Sequence, residues 1–435
     1  MENHLVEIKI PENFRAINTA DIVLDGITVV SGINGCGKST LSKLLYQTYK
    51  YSINYNHLLA LDIRDQLQPY YEVLNQLYTL LISHTRQIPM NVPRKWRRLV
   101  NLDKADSYLK ETKDLCYNFL ETERNLSEKG MSLMTERTWR IIWASLGSEE
   151  NRDLESLLDN ILVQMTGIVN RTIALSQERP SSLLYNKVNS NLRSNLPFSV
   201  EVSEYGDSFI GPEVKTVALP HYIQRVLYLD TPMILGIDAY NAPDNWDDLN
   251  NSLRQSSSYN YDGIIKETIQ KKILHGEAVY DEESIEDVFN FKREDGKVFD
   301  LFDCATGVKS FSILQLLLKN GFLRKDTLLI VDEPEAHLHP QWVVEYARLI
   351  LLLHKEIGVK FFIASHSTDM VGALKEIAPI VGVKDLNFYV AEDAGEMLYN
   401  YRYLGDDVEP IFASFNKSYE KLDYYVSHGS NSEQD

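Results

Sequence analysis

The sequence predicts an α/β protein with a mixed or parallel sheet, split between the two ends of the chain by a largely helical insertion. Three short apolar segments are typical of buried strands: 27–31, 327–331 and 360–364. A glycine-rich loop follows the first directly, and polar or charged residues follow the other two. Segments 341–356 and 368–377 have helical spacing and lie where right-handed crossovers between parallel strands need them. Ligands bind at the carboxyl ends of strands in such sheets, so we expect a ligand site there.

Composition limits the possible functions. The chain has 435 residues, 44% hydrophobic and 24% charged, and its 44 basic and 62 acidic residues give a net charge of −18. This balance excludes a uniformly basic nucleic-acid-binding surface but leaves room for a local basic groove. The three cysteines form no C-x-x-C pair, which argues against a zinc site or a disulfide framework. No apolar run approaches the roughly 18 residues of a membrane span, so we expect a cytoplasmic protein without membrane contact.

The first strand leads into a phosphate-binding loop. Residues 32–39 read Gly-Ile-Asn-Gly-Cys-Gly-Lys-Ser and match G-x-x-x-x-G-K-[ST], and leucines at helical spacing follow. In such a loop, backbone N–H groups and a helix N-terminus surround phosphate oxygens. Lys38 reaches the β- and γ-phosphates, and Ser39 offers its hydroxyl to Mg²⁺. The sequence therefore predicts an ATP site formed by Asn34, Gly35, Cys36, Gly37, Lys38, Ser39 and Thr40.

The other two strands deliver candidate catalytic groups. Asp332 and Glu333 directly follow a strand of apolar residues, the pattern of a Walker B motif. We expect Asp332 to hold Mg²⁺ together with Ser39, and Glu333 to orient or deprotonate the attacking water. His366 follows the third strand, where it is placed to hydrogen-bond a γ-phosphate and to sense its loss. The alternative for His366 is a purely structural histidine.

With these motifs in order, residues 1–50 and about 290–395 resemble the head of an ABC-type ATPase of the SMC, RecF and OLD-like branch. Asn13-Phe14-Arg15 is similar to a segment that precedes the phosphate loop in these heads. The resemblance implies that Arg15 contacts the nucleotide or the loop; an exposed surface arginine is the alternative. Residues 334–340 resemble the D-loop in its E-x-H-L-H-P form, with His337 and His339 in it. Metal chelation by these two histidines is the less favoured alternative.

Residues 305–310 lie where this family has its L-S-G-G-Q signature. Thr306 and Gly307 match the pattern in kind, and Lys309 replaces the glutamine. The resemblance implies that two heads sandwich ATP, with these residues facing the phosphate loop of a second copy, and hence a homodimer or higher oligomer. Whether Lys309 adds charge toward the γ-phosphate or pairs elsewhere stays open. The family's Q-loop is unassigned, with Asp230 as a weak candidate.

The predicted domains place the two halves of the head at the ends of the chain. Two amphipathic segments of the insertion, 102–122 and 154–175, predict either a short antiparallel helical arm or a packed helical subdomain. The limits are 1–50 for the N-terminal half of the head, 51–225 for the insertion, 226–300 for a return strand and signature-side subdomain, 301–404 for the C-terminal half of the head, and 405–435 for a final helix and acidic tail.

The densest basic cluster in the sequence surrounds Trp96 in the insertion. It consists of Arg94, Lys95, Arg97 and Arg98. A basic cluster with an aromatic centre suits nucleic-acid phosphates or an acidic partner. The alternative is a solvated helix face.

The resemblance extends to ATPase subunits of bacterial antiphage systems of the Septu, retron-associated and OLD-like types. It implies a slow, dimerisation-dependent ATPase that acts as a sensor and controls a separate effector such as a nuclease. The 435 − 366 = 69 residues after His366 are too few for an added nuclease domain. The alternative is a RecF- or SMC-like DNA repair ATPase that binds DNA directly. A transporter subunit is disfavoured, since 306 − 38 = 268 residues separate the phosphate loop from the signature.

Overall fold

The computed structural model describes residues 5–84, 91–147, 152–231, 244–255, 263–281, 288–336 and 338–428. Its strands are β1 Val6–Ile10, β2 Ile17–Leu24, β3 Ile27–Ser31, β4 Glu201–Glu204, β5 Asp207–Ile210, β6 Arg225–Leu229, β7 Gly276–Asp281, β8 Val288–Arg293, β9 Val298–Asp300, β10 Thr327–Asp332, β11 Lys360–Ser365, β12 Leu386–Gly395 and β13 Leu398–Gly405. Its helices are α1 Lys38–Ile53, α2 Tyr55–Gln66, α3 Gln68–His84, α4 Val92–Arg97, α5 Ala105–Ser127, α6 Glu136–Leu146, α7 Leu154–Glu178, α8 Ser181–Leu192, α9 Asp244–Arg254, α10 Ile264–Glu267, α11 Thr306–Lys319, α12 Pro340–Ile357, α13 Thr368–Val381 and α14 Glu409–His428. A π-helical turn, Thr268–Ile273, follows α10.

The chain divides into two compact units, residues 54–184 and the remainder. Helices α2 to α7 form the first unit, and the predicted helices at 102–122 and 154–175 are confirmed as α5 and α7. These two helices contact each other, and α3 contacts α4, α5 and α6. Trp96, Phe119 and Met165 are almost completely buried in this unit. The helices therefore form a packed subdomain.

A ten-stranded mixed sheet organises the other unit, and this confirms the predicted α/β class. The strand order is β5-β4-β1-β2-β13-β12-β3-β11-β10-β6. The five strands from β12 to β6 run parallel, whereas β1 pairs antiparallel with β2 and β4. The three predicted strands lie side by side as β3, β11 and β10, and all of their residues except the first of β11 are buried. Their carboxyl ends therefore meet at one edge of the sheet.

One part of the predicted insertion belongs to this sheet instead. Residues 201–210 were assigned to the helical segment 51–225, but they form β4 and β5, and Val6 of β1 pairs with Glu204 of β4. The sequence does not predict β4 as a strand because β4 contains charged residues, whereas a buried strand normally consists of apolar residues. Glu204 is fully buried and accepts hydrogen bonds from the backbone N–H groups of His221, Tyr222 and Ile223, which satisfies its charge.

Helices α11, α12 and α13 contribute a large share of the apolar core that packs with β3, β10 and β11. The predicted helices at 341–356 and 368–377 are confirmed as α12 and α13. Helix α12 begins with His339 as its N-cap and Pro340 in its first turn, and ends at Gly358 in the left-handed conformation. A second, three-stranded sheet has the order β7-β8-β9. Within the described ranges, no helix is both long and apolar enough to cross a bilayer.

Candidate nucleotide site

The phosphate-binding loop connects β3 to α1, as the motif predicts. Gly35 and Gly37 have φ values of +86° and +101°, a region that side chains strain to adopt. At Gly37, a Cβ atom would lie 2.6 Å from the Cγ1 atom of Ile17, so glycine is also required by space. The loop therefore fits tightly against the neighbouring strand β2.

Contacts within the loop hold its lysine. Lys38 is 4% exposed, and its Nζ donates hydrogen bonds to the carbonyl oxygens of Gly32, at 2.8 Å, and Ile33, at 3.1 Å. Cys36 lies buried, and its carbonyl oxygen accepts a hydrogen bond of 3.2 Å from the Tyr401 hydroxyl. These bonds keep the Lys38 ammonium inside the curve of the loop, where it is close to any phosphate bound there.

A cleft of about 360 Å³ opens beside the loop. It brings together every predicted ATP-binding residue except Cys36, and it adds Glu333 from the far end of the chain; its lining is Arg15, Ala16, Asn34, Gly35, Gly37, Lys38, Ser39, Thr40 and Glu333. Arg15 has a φ of +57°, and its guanidinium lies 3.5 Å from the Thr40 hydroxyl and donates to the carbonyl oxygen of Leu192. The structure therefore places Arg15 at the cleft.

Asp332 ends β10 and is 7% exposed. Its Oδ2 accepts a hydrogen bond of 2.9 Å from the Tyr228 hydroxyl, whereas its buried Oδ1 has no hydrogen-bond partner among the described residues. Burial raises the pKa of Asp332, and the hydroxyls of Ser39 and Tyr228 oppose that rise. A buried carboxylate oxygen without a donor, beside a serine hydroxyl, fits a Mg²⁺ ion, which takes hard oxygen ligands.

Glu333 comes next, with its backbone in the left-handed region at φ +51°. Its N–H donates to the carbonyl oxygen of Ala364 at 2.7 Å, which fastens the turn to β11. Its side chain is 40% exposed and lines the cleft. A non-glycine residue held at positive φ marks a site where the surrounding structure imposes a conformation, and here the result is a carboxylate that faces the phosphate loop.

His366 lies between two carboxylates. Its Nδ1 is 3.4 Å from Oε1 of Glu333 and 3.3 Å from Oε1 of Glu335. Burial raises the pKa of Glu335, and hydrogen bonds from the turn after β11 oppose that rise. The predicted catalytic residues Glu333 and His366 are thus brought together. The sequence places Glu335 in the D-loop as the first residue of E-x-H-L-H-P but does not predict its contact with His366, and it gives no functional signal for Tyr228.

The three signature residues do not line this cleft among the described residues. Thr306 begins α11, and a Cβ atom on Gly307 would lie 2.5 Å from the Trp342 ring, so helix packing requires that glycine. Lys309 is 6% exposed, and its Nζ lies 4.9 Å from the centre of the Phe302 ring. Its charge is therefore engaged by an aromatic face.

His339 serves as the N-cap of α12: its Nδ1 accepts the backbone N–H of Gln341 at 3.4 Å. This satisfies a free donor at the helix start. His337, the other predicted D-loop histidine, lies outside the described residues. In the part of the chain that is described, no group of three or more His, Cys, Asp and Glu side chains is arranged to hold a metal ion.

The weak Q-loop candidate Asp230 has a structural contact. It follows β6, and its two oxygens accept hydrogen bonds from the side chains of Trp246, at 2.7 Å, and Asn245, at 3.3 Å. Both donors belong to α9. Asp230 thus anchors the start of α9 to the end of β6.

The basic cluster lies on and just after α4 in the helical unit. Arg94, Arg97 and Arg98 are exposed. Lys95 instead forms an ion pair of 2.5 Å with Glu111 and lies over the Tyr108 ring. The predicted patch is therefore reduced to three exposed arginines.

Comparison with known proteins gives one family match. A family model described as "AAA domain, putative AbiEii toxin, Type IV TA system" matches residues 175–370, less than half of the chain. The matched range contains Asp332, Glu333 and His366 but not the phosphate loop. No curated protein sequence matches the chain.

Several solved structures are similar at low identity. The Smc head domain of Pyrococcus furiosus with an extended coiled coil, bound to the C-terminal domain of ScpA, is 11% identical with a TM-score of 0.33, covering 97% of this chain and 98% of that chain. An SmcHead bound to the C-winged helix domain of ScpA is 11% identical with a TM-score of 0.35, covering 92% and 96%. The SMC head domain of Thermotoga maritima is 14% identical with a TM-score of 0.25, covering 36% and 50%.

The phosphate loop after β3 and the carboxylates at the end of β10, together with the matched AAA model, support a P-loop ATPase.

Proposed function

We propose that the protein binds ATP with Mg²⁺, hydrolyses it, and uses the nucleotide state as a switch. The observation that carries this proposal is the meeting of Lys38, Ser39 and Glu333 in one cleft, beside the buried Asp332. A phosphate-binding loop, a buried oxygen ligand and a carboxylate that faces them are the parts that phosphoryl transfer to water needs.

The residues act in sequence on the γ-phosphate. Lys38 exchanges its bonds to the loop carbonyls for bonds to the β- and γ-phosphate oxygens. Ser39 and Asp332 would hold Mg²⁺, which would supply positive charge against the phosphates. Glu333 accepts a proton from the attacking water, and Lys38 with the N-terminus of α1 stabilises the charge that develops on the transferring group.

A second copy of the chain completes the site in this proposal. Thr306 stands at an N-terminus of a 14-residue helix, which favours a negatively charged ligand, yet it lies outside the cleft of its own chain. In a sandwich of two heads, Thr306 and Gly307 of one copy face the phosphate loop of the other, and Lys309 follows them over the Phe302 ring. Turnover is then slow in the monomer and rises with dimerisation.

We further propose that the switch serves a bacterial antiphage system and controls a separate effector, such as a nuclease. The matched family model carries the description "AAA domain, putative AbiEii toxin, Type IV TA system". The motif resemblance to Septu-type, retron-associated and OLD-like ATPases supports the same role. This step depends on association rather than on a contact in the site.

Two substitutions test the chemistry. Glu333→Gln is expected to keep ATP binding and to lower kcat by about 100-fold or more, the range for loss of a general base, while it accumulates the ATP-bound dimer. Lys38→Ala is expected to abolish nucleotide binding. Binding is measured with a fluorescent ATP analogue, turnover by phosphate release, and dimerisation by light scattering.

Glu356→Gln, on the exposed face of α12, is the matched control and should behave as the unmodified protein. Wild-type turnover in Glu333→Gln would show that the assigned carboxylate is wrong.

The defence role has its own test. Expressed in the native host with the neighbouring gene, the protein should lower phage plaque counts, and Lys38→Ala should restore them. Salt-dependent, ATP-stimulated binding of DNA by the isolated protein, with no effect on plaque counts, would favour the repair-type function instead. Replacement of Arg97 and Arg98 by glutamate would then reduce that binding.

A further inference from the structure

The D-loop contains a buried carboxylate with an unusual set of contacts. Glu335 is 7% exposed, and three groups gather around one of its oxygens, Oε1. The Ser365 hydroxyl donates to it at 2.9 Å, the backbone N–H of His366 donates to it at 2.7 Å, and the Nδ1 atom of His366 lies 3.3 Å away. All three belong to the end of β11 and the turn that follows it.

The other oxygen of Glu335 is in the opposite situation. Oε2 is buried and has no hydrogen-bond partner among the described residues. A buried carboxylate that leaves one oxygen unpaired loses solvation energy without full compensation, and an apolar or neutral side chain is often the more stable choice at such a place. Packing alone therefore does not account for Glu335, and its contacts point to the turn after β11.

The orientation of the His366 ring follows from these contacts. Its backbone N–H is tied to Glu335, and its Nδ1 stands between Glu335 and Glu333 at nearly equal distances. Nδ1 is buried and completes no hydrogen bond among the described residues, although both carboxylates lie within ion-pair distance. Because ionised carboxylate oxygens only accept hydrogen bonds, a proton on Nδ1 is the form that these two neighbours favour. The Nε2 atom is then the ring nitrogen that remains for a nucleotide phosphate.

We infer that Glu335 is a positioning residue that holds His366 in this orientation and links the Walker B turn to the turn after β11. This inference rests on the proposed ATPase function. Glu335 acts through the length of its side chain, which brings Oε1 to the turn after β11, rather than through its charge. It orients the His366 ring so that Nδ1 faces Glu333, and this keeps His366 and Glu333 close together.

Two conservative variants separate reach from charge. Glu335→Gln keeps the length and one carbonyl oxygen, and its amide nitrogen can occupy the Oε2 position, where no donor opposes it. Glu335→Asp keeps the charge but is shorter by one methylene. A role through reach predicts that Glu335→Gln stays within about threefold of the wild-type kcat. Glu335→Asp should lose about 10- to 100-fold, the range for loss of the outer partner of a functional histidine.

Neither change should alter the KM for ATP by more than about twofold, because Glu335 is absent from the residues that line the cleft. The matched control is Glu204→Asp. Glu204 is another buried carboxylate that accepts backbone N–H groups, but from residues 221–223. It should lower the melting temperature and leave kcat unchanged when turnover is measured well below that temperature.

A second readout does not depend on turnover. Nitrogen-15 NMR of the histidine rings, with His366→Gln to assign the signal, should show the proton on Nδ1 of His366 in the wild type and in Glu335→Gln. Glu335→Asp should give a mixture of tautomers. If the wild-type protein fails to hydrolyse ATP, the proposed function fails, and the ring signals still test the inference.

Three results would overturn it: an active Glu335→Asp beside an inactive Glu335→Gln, a loss of kcat in Glu335→Asp no larger than in Glu204→Asp, or a His366 ring signal that is the same in all variants.

Discussion

The hydrogen bond between Tyr228 and Asp332 gives a sharp test of the proposed Mg²⁺ site. Tyr228 is buried on β6, next to β10, and its hydroxyl donates to Oδ2 of Asp332 at 2.9 Å. Tyr228→Phe removes that hydroxyl and keeps the ring, including its contact with the Tyr46 ring at a centroid distance of 5.7 Å. The change therefore isolates one hydrogen bond.

The expected loss of Mg²⁺ affinity in Tyr228→Phe follows from the burial of the acceptor, Asp332. A hydrogen bond to a charged group contributes about 1.5–3 kcal/mol, and Asp332 is shielded from water, so solvent replaces little of the loss. The ionised carboxylate becomes less favourable and less well oriented, and Mg²⁺ needs that ionised form. At about 1.4 kcal/mol per factor of ten, the apparent affinity for Mg²⁺ should fall by about 10- to 100-fold.

The assay is ATP turnover titrated with Mg²⁺ at saturating ATP. Tyr228→Phe should shift the half-saturating Mg²⁺ concentration upward by that factor and leave the rate at saturating Mg²⁺ within about threefold of wild type. Tyr49→Phe is the matched control, since Tyr49 is also buried and its hydroxyl donates to another buried carboxylate, Glu204, at 3.3 Å. An unchanged Mg²⁺ midpoint in Tyr228→Phe, or an equal shift in the control, would refute the reasoning.

Two further predictions concern the loop and the fold. Gly37→Ala should abolish binding of a fluorescent ATP analogue, because an alanine at φ +101° is strained and its Cβ would lie 2.6 Å from Ile17, which distorts the loop. The control is Gly296→Ala, where φ is +83° and no atom lies within 4 Å of the new Cβ. This control should lose only about 1 kcal/mol of stability and keep ATP binding. A hydrogen bond from His354 lowers the folded-state pKa of Asp385, so its stabilising contribution is present at neutral pH and is lost as the pH falls below about 4. Asp385→Asn should therefore lower the free energy of unfolding in urea at pH 7 and weaken its dependence on acid; an unchanged acid dependence would contradict the assignment.

The strands and helices of the head could be predicted because their signals are local. The apolar strands before Gly32 and Asp332 are short, continuous and directly followed by functional groups. Helix α12 carries its own start and stop signals, with Pro340 in its first turn and Gly358 at its end. Such patterns depend on neighbours within one element, so a single sequence contains them.

Contacts between distant elements could not be predicted in the same way. Tyr228 reads as one more apolar residue of a buried strand, and its partner is 104 positions away. Lys95 reads as part of a basic patch, and its pairing with Glu111 removes it from that patch. The role of each of these two side chains depends on a partner that is distant in sequence and that only tertiary packing brings into contact.

The positions where local rules fail also argue for the location of the site. Along β3 and β10 every residue is buried, in keeping with the sheet interior. From the last residue of β10 onward, three anomalies lie within four positions among the described residues: a buried carboxylate oxygen without a partner on Asp332, a left-handed backbone at Glu333, and a second unpaired buried oxygen on Glu335. Each is unfavourable for folding by itself. Natural sequences are locally consistent except where function requires otherwise, so this concentration at the carboxyl edge, beside the phosphate loop, is an independent reason to place the chemistry there.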